Sequence, residues 1–509
     1  MRRLLLPVCL LTAAVAVAAC TGEPAPSRAG TVDDNTTMTL ADSAEPATLN
    51  PVQGFAPEGG SRMYDGLVGY QADRTLRPVL ATDLPQPSPD GKSWTVKLHQ
   101  RVRFSDGSPL TAADIVAEYN AVLDPAGRSP LRPDFDMLAG VTAVDELTVR
   151  FDLSFPFPSF PTRLVLGVVP HTALAGPQPP GTGAYSVASW DKGKQLLLGL
   201  NKYYYGVPPK VVKVTVAFVP DDATRIQRLQ SGAFDGIEVP PSEAVAVAKF
   251  DGVKVITEDT ADYRAVTLPA GGPVTGDRAV RLALNFAIDR KELIGTALGG
   301  KGTPAYTPMP DSLPEFVDPQ ATYRYDSTAA GRILDQAGWV AGADGVRAKA
   351  GVRAAFTVGY PGGDLERRSV AQAFATQLRA IGFDVTAAPD AGAGSAQIVS
   401  GGNPFDPDLA VRSVLRTGGA DNTTGYSDAA VDSALDTAHR ATDPAARATA
   451  FRSAQRAYVG DPGLVTLAFV THTYAVHDNW AGSVPVIEPA VHGPLTWGPW
   501  WNLETWTIR

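Results

Sequence analysis

Short strand and helix segments interleave along the chain, which predicts an α/β architecture with mixed sheets rather than a pure sheet or a helical bundle. Two further observations set its organisation. At 509 residues the chain exceeds what one hydrophobic core usually serves, so two or three domains are expected. In the second half a helix, a glycine and a strand follow one another, the unit of a second α/β lobe.

The chain opens with a segment that belongs to export rather than to the fold. Arg2 and Arg3 precede an apolar run from Leu4 to Ala19, short for a bilayer core and followed by small and polar residues instead of a stop-transfer charge cluster. Val17, Ala18, Ala19 and Cys20 resemble the bacterial lipobox, whose cysteine is diacylated and becomes the first residue. At about 0.8 kcal/mol per buried CH₂, two acyl chains hold a protein on a membrane durably. Residues 1–19 read as a signal peptide and 20–35 as the lipidated Cys20 with a flexible tether, rich in Pro, Ala, Gly, Ser and Thr. Cys9 and Cys20 are the only cysteines, so the mature body has no thiol pair and cannot use disulfide or cysteine–metal chemistry. Loss of Arg2 and Arg3 takes the formal charge from −9 to −11, and so acidic a body is unsuited to coating nucleic acid, which needs clustered Lys and Arg.

The first strand is expected at Thr37 to Leu40, and the Leu49-Asn50-Pro51 triplet turns the chain before residues 63–70. Trp94, Val96 and Leu98 alternate with Thr95 and Lys97 after the Asp90-Gly91 turn, the two-residue period of a half-buried strand. A second strand is expected through Val102 and Phe104. Thr111 and Asp114 form a capping box for a helix with Ile115, Tyr119 and either Val122 or Leu123 on one face. Residues 141–144 and 147–153 read as a hairpin, 181–190 as flexible glycines leading into a strand, and 211–218 as another strand before a helix opened by Asp221 and Asp222.

From Asp277 the sequence DRAVRLALNFAIDRKELIGTAL carries Val280, Leu284 and Ile288 every four residues, a buried helical stripe that Leu293 and Ile294 extend. Asp326 or Ser327 caps the next helix, which stops at Gly338. Val370, Phe374, Leu378 and Ile381 share a helical face that Gly382 ends before a strand at Phe383 and Val385. Ser427 caps a helix with Val431 and Leu435 inward, and Asp443-Pro444 opens another, with proline at a position where its missing N–H has no partner to lose.

Taken in order, YDGLVGY, SPDGKSWTVKLHQRVRFSDGSPLTAADIV, GTGAYSV, LNKYYYG with PPKVVKVTV, ALNFAIDRKELI, ILDQAGW, and NPFDPDL followed by TTGYSDAAVDSALD resemble the family 5 extracellular solute-binding proteins, the peptide, oligopeptide and nickel receptors of ABC importers. The resemblance covers essentially the mature chain. It implies a two-lobed periplasmic-binding-protein-like fold, type II and cluster C-like, with an extra small domain and a hinge between lobes. Lobe one would comprise 36–60, 184–270 and 478–509, the added subdomain 61–183, and lobe two 271–477. Passages between lobes are expected near Leu268 to Gly276 and near His472 to Trp480, so that a ligand shifts an open population towards a closed one. The implied role is capture of short peptides, or alternatively of nickel or another metal chelate, on the outer face of the bacterial membrane, and delivery by a monomeric receptor to the permease without a cofactor.

Chemistry-bearing motifs point away from an enzyme. G-x-S-x-G, H-E-x-x-H and G-x-x-x-x-G-K-[ST] are all absent, so a secreted hydrolase is the remote alternative. Of the six histidines, His472 and His477 fall on opposite faces of a regular strand and share no metal without a bend. The ligand candidates begin at Gly402-Asn403-Pro404-Phe405-Asp406-Pro407. Peptide-binding members of the family often carry an ammonium-binding aspartate where this chain has Asn403, and an amide lacks the charge that strengthens such a bond. Asp406 is either a ligand contact or the cap of a helix starting near Pro407. Arg412 and Arg416, four residues apart, share a helical face and either fork onto a carboxylate or form a solvated stripe. Asn422 and Tyr426 either add polar contacts or support their turn. Trp497 and Trp500 either wall the cleft or pack, and Tyr185 stands near the expected lobe boundary or in the core.

Overall fold

The computed structural model describes residues 37–392 and 394–509; the signal segment, Cys20 and the tether lie outside them. Two large mixed sheets organise the molecule. The first has seven strands in the spatial order Val253–Glu258, His472–His477, Gly236–Glu238, Thr37–Asp42, Lys213–Phe218, Gln195–Leu200 and Tyr185–Asp191. Thr37–Asp42 is parallel to both its neighbours, and the other pairs are antiparallel. The second has six strands, ordered Gly302–Pro304, Leu464–Val470, Tyr263–Thr267, Ala396–Gly401, Ala355–Tyr360 and Asp384–Pro389. Leu464–Val470 and Tyr263–Thr267 are buried along their whole length; the first accordingly reads as a nearly continuous apolar run, while the second buries Arg264 against Asp262 and Glu366.

A four-stranded sheet, ordered Gln86–Pro87, Ser93–Lys97, Thr148–Leu153 and Leu138–Asp145, forms the body of a smaller unit inserted into the first half. Trp94 and Val96 point inward and Thr95 and Lys97 outward, as their alternation requires. The helix Ala112–Leu123 lies beside this sheet and opens with the expected Thr111–Asp114 capping box. The strand expected through Val102 and Phe104 does not form. Ser93–Lys97 pairs instead with Thr148–Leu153, and Arg103 makes only an isolated bridge to Pro109 around the Asp106-Gly107 turn.

The chain passes from the first sheet to the second between Glu258 and Tyr263 and returns across Thr471, between Val470 and His472. The first passage precedes the expected 268–276, because Tyr263–Thr267 is already a central strand of the second sheet, and the second falls just before the expected 472–480. The stripe from Asp277 also divides. Arg278–Ala287 ends where Ile288 turns extended, and Asp289 caps a new helix, Arg290–Ala297, by accepting from the N–H of Glu292. Ile288 stays buried, so its period survives the break. Asp428 rather than Ser427 caps Ala429–Arg440, accepting from the N–H groups of Ala430 and Val431. Gly382 adopts φ +81° and takes the chain from Leu365–Arg379 into the strand that starts at Asp384. No helix among the described residues is long and apolar enough to cross a membrane.

Candidate functional site

The loop after Ala396–Gly401 carries the chain to the boundary between the two halves. Asn403 accepts from the N–H groups of Phe405 (2.9 Å) and Asp406 (3.1 Å), a local turn that consumes its amide oxygen. The turn projects Phe405 onto Tyr70 of the first half, the rings stacked at 3.8 Å, with Trp497 5.0 Å from Phe405. Arg74 reaches across from the first half to the carbonyls of Pro404 and Ser312. Asp406 caps the helix Pro407–Leu415 through the N–H of Asp408 and is buried against Arg447 and Arg163.

Beyond this loop, a cleft of about 410 Å³ separates that helix and Ala429–Arg440 from residues 133–163 of the inserted unit. Charged groups of both signs face it. Arg416 grips both oxygens of Asp436 (2.8 and 3.1 Å), while Arg412 lies 3.4 Å from Asp436 and 3.2 Å from Asp136 on the opposite wall. The Arg412 Nε is buried without a protein partner. His439 spans the walls, with Nε2 2.9 Å from Asp136 and Nδ1 3.2 Å from Asp408. Burial opposes charge on this imidazole, but hydrogen bonds to two carboxylates outweigh it and raise its pKa. Burial likewise pushes the Asp408 carboxyl up, yet His439 and Arg447 hold it down at about 2. Asp134, where burial outweighs Arg163, is pushed up to about 6. The cleft can therefore offer both cationic and anionic hydrogen-bonding partners to a zwitterionic solute.

Residues 75–428 match the family described as bacterial extracellular solute-binding proteins, family 5 middle. The chain belongs to this family. Protein XP55 of Streptomyces lividans is 37% identical over 522 residues, covering 97% of this chain and 95% of XP55. Among solved structures, NikZ from Campylobacter jejuni in complex with Ni(L-His) superposes with a TM-score of 0.86 at 22% identity, over 93% of this chain and 99% of that one. AppA from Bacillus subtilis in complex with a nonapeptide gives 0.82 at 21% identity, again over 93% and 99%. Both share the two-lobed fold.

In this family 5 solute-binding protein the structure gathers Asn403, Asp406, Arg412, Arg416 and Trp497 at the boundary between the halves, and places the other candidates elsewhere. Asn422 ties its own turn, donating to the carbonyls of Arg416 and Tyr426 and accepting from Thr424 and Tyr426. Tyr426 packs edge-on to Tyr458. Tyr185 is buried and donates to the carbonyl of Val211, and Trp500 is buried edge-on to Tyr474. Sequence reasoning missed Tyr70, Phe405, Asp136, Asp436 and His439 as parts of the site. Their partners lie 20 or more positions away in the chain, so no local spacing connects them.

The group best placed for a metal ion is Asp262, His472 and His492, with ligand atoms within 4.8 Å of one another. Its chemistry disfavours one. His472 has Glu488 at 2.6 Å from Nδ1 and Asp262 at 3.0 Å from Nε2, an environment for imidazolium rather than for a neutral ligand. Asp262 is also gripped by Arg264, and the His472 and His492 rings are stacked at 3.7 Å rather than splayed around a common point.

Proposed function

We propose that this chain is the solute-capturing lipoprotein of an ABC importer, which takes up short peptides, closes around them and delivers them unchanged to the permease. The observation that carries this reading is the cleft, where Arg412 and Arg416 stand on one wall, Asp134 and Asp136 on the other, and His439 links the two. A peptide presents an ammonium, a carboxylate and a row of amides, and such a lining meets all three. Anchoring through Cys20 would keep the receptor at the outer membrane surface as a monomer. Nothing in the captured solute needs to be bonded or broken for this role.

A metal chelate is the second reading, favoured by Asn403. Its amide oxygen is spent on two backbone N–H groups, so it supplies no charge to a peptide amine. Organic chelators carry carboxylates that the arginines could grip instead.

Native mass spectrometry of the protein purified gently from its own host, with masses taken before and after denaturation, separates the readings. A released ladder of peptides establishes the first. A discrete metal-containing small molecule establishes the second and overturns the first.

A further inference from the structure

The first sheet brings the start of the described chain and one exposed loop to the same end. Thr37 pairs with Lys213 in parallel register, and Gly199 pairs with Lys213 from its other side in antiparallel register. The connection 201–212, NKYYYGVPPKVV, therefore turns beside Thr37. Val207 at its tip is 85% exposed, more than any other large apolar side chain among the described residues, and Tyr205 is 42% exposed. Pro208 is exposed next to them. Single exposed apolar side chains are commonplace, but three within four residues on one tip leave a surface for something to cover.

The loop is held in shape from behind. Asn201 donates to the carbonyl of Gly183 (2.9 Å) and accepts from the N–H of Tyr203 (2.9 Å), while the Tyr185 hydroxyl holds the Val211 carbonyl (2.8 Å). Tyr204 lies so close that a Cβ on Gly206 would meet its ring at 2.8 Å. Asp65 and Glu504 act on Tyr204 behind the tip, and Asp65 is already held by the hydroxyls of Tyr205 and Thr182 (3.1 Å each). The outward charges are all positive. Lys202, Lys210 and Lys213 are exposed without a carboxylate partner among the described residues, and the Lys202 ammonium stands 4.7 Å over the Tyr203 ring. They belong to the stems of the loop and leave the tip itself uncharged. That order suits a layered partner, apolar where the tip enters and anionic around its stems, with a tyrosine ring at the boundary. Cys20 stands 17 positions before Thr37, a reach of at most about 60 Å, so a chain anchored there keeps this end of the sheet near the bilayer.

We propose that residues 205–208 form a foot that rests on an anionic lipid surface, with Val207 and Tyr205 entering the interface and Lys202, Lys210 and Lys213 meeting lipid phosphates. It rests on the Cys20-anchored reading given above and adds a second contact to it. Acyl chains alone fix the distance of the body from the membrane and not its orientation. A foot beside Thr37 fixes which end of the first sheet faces the bilayer.

The test is amide hydrogen exchange of the acylated protein, as its host makes it, on vesicles of phosphatidylglycerol and phosphatidylcholine in equal parts and on vesicles of phosphatidylcholine alone. Wild type and Val207→Asp are compared, with flotation confirming attachment. The Tyr205, Gly206 and Val207 amides should exchange about tenfold more slowly on the anionic vesicles than on the neutral ones. Val207→Asp should abolish that difference while floating as the wild type does. Equal exchange on both vesicles, or protection untouched by Val207→Asp, overturns the foot and leaves the anchored reading standing. Protection that arises only when the permease is reconstituted in the same vesicles overturns the lipid partner in favour of the permease. A protein that does not float with either vesicle overturns the anchored reading and the foot with it.

Discussion

Arg412, in the last turn of the helix Pro407–Leu415, and Arg416, its extended C-terminal cap, both line the cleft, but they do not reach it on equal terms. Both nitrogens of the Arg416 fork are committed to Asp436, whereas Arg412 divides itself between Asp436 and Asp136 and keeps a buried Nε without a partner. Arg412 is thus the better placed to turn to a ligand carboxylate. Arg412→Ala should lower tripeptide affinity several-fold in calorimetric titration and shift unfolding stability by less than about 1 kcal/mol, because its pairs are partly solvated. Arg416→Ala should do less to affinity. Tyr185 makes the opposite case. Its hydroxyl donates to the Val211 carbonyl inside the core, so Tyr185→Phe should cost about 1 kcal/mol in denaturant unfolding and leave ligand binding unchanged. The four-residue spacing suggested a shared helical face, but the helix ends at Leu415 and Arg416 reaches the cleft as its extended cap. The spacing carried no sign of Asp136, whose place opposite Arg412 comes only from the docking of the inserted unit onto the second half.

At the scale of elements, caps were the most readable feature and continuity the least. Asp221, Asp326 and Asp443 each cap the helix that follows, because a side-chain oxygen within reach of the first free N–H groups is a local matter. The break at Ile288 was not legible, since Val280, Leu284 and Ile288 keep a four-residue period across it and all three are buried. Asp289 converts that apparent single helix into two. Asp289→Ala should cost about 1 kcal/mol in denaturant unfolding, with no change in the spectrum of the bound state. The missing strand at Val102 and Phe104 has a similar origin. Both residues are buried, so the apolar alternation is real, but Thr148–Leu153 outcompetes the nearer segment for the edge of Ser93–Lys97.

For the whole molecule the decisive region is where the two sheets exchange the chain. Asp262 lies on the first passage and His472 begins the strand after the second, with Glu488 from the following segment on its far side. Burial disfavours the His472 charge, but its hydrogen bonds to the carboxylates of Asp262 and Glu488 more than offset it and raise the pKa from 6.5 to about 10. Because the folded value is the higher, this contribution is complete below pH 6.5 and drains away as pH climbs towards 10. Asp262 behaves inversely: Arg264 and His472 overcome its burial and depress its pKa, so its share is lost in acid. The midpoint of thermal unfolding should therefore fall between pH 7 and 10 in the wild type, by an amount on the order of a few kcal/mol in stability. In His472→Gln that fall should be much smaller, from a lower stability at neutral pH. Motif order made the two-lobed plan legible. The charged cluster was not, because its members come together only through sheet pairing.

The two passages are also neighbours within a single antiparallel ribbon. Val253–Glu258 pairs with His472–His477 on one side of the exchange, and Tyr263–Thr267 pairs with Leu464–Val470 on the other. A cut in either passage alone would leave the halves riveted by the other and by the ribbon's pairing on both sides. The nicked chain should stay one particle, whereas adding a single residue to one passage would throw one sheet out of register with the other, turning inward-facing side chains out. The molecule would thus tolerate scission at this point better than lengthening.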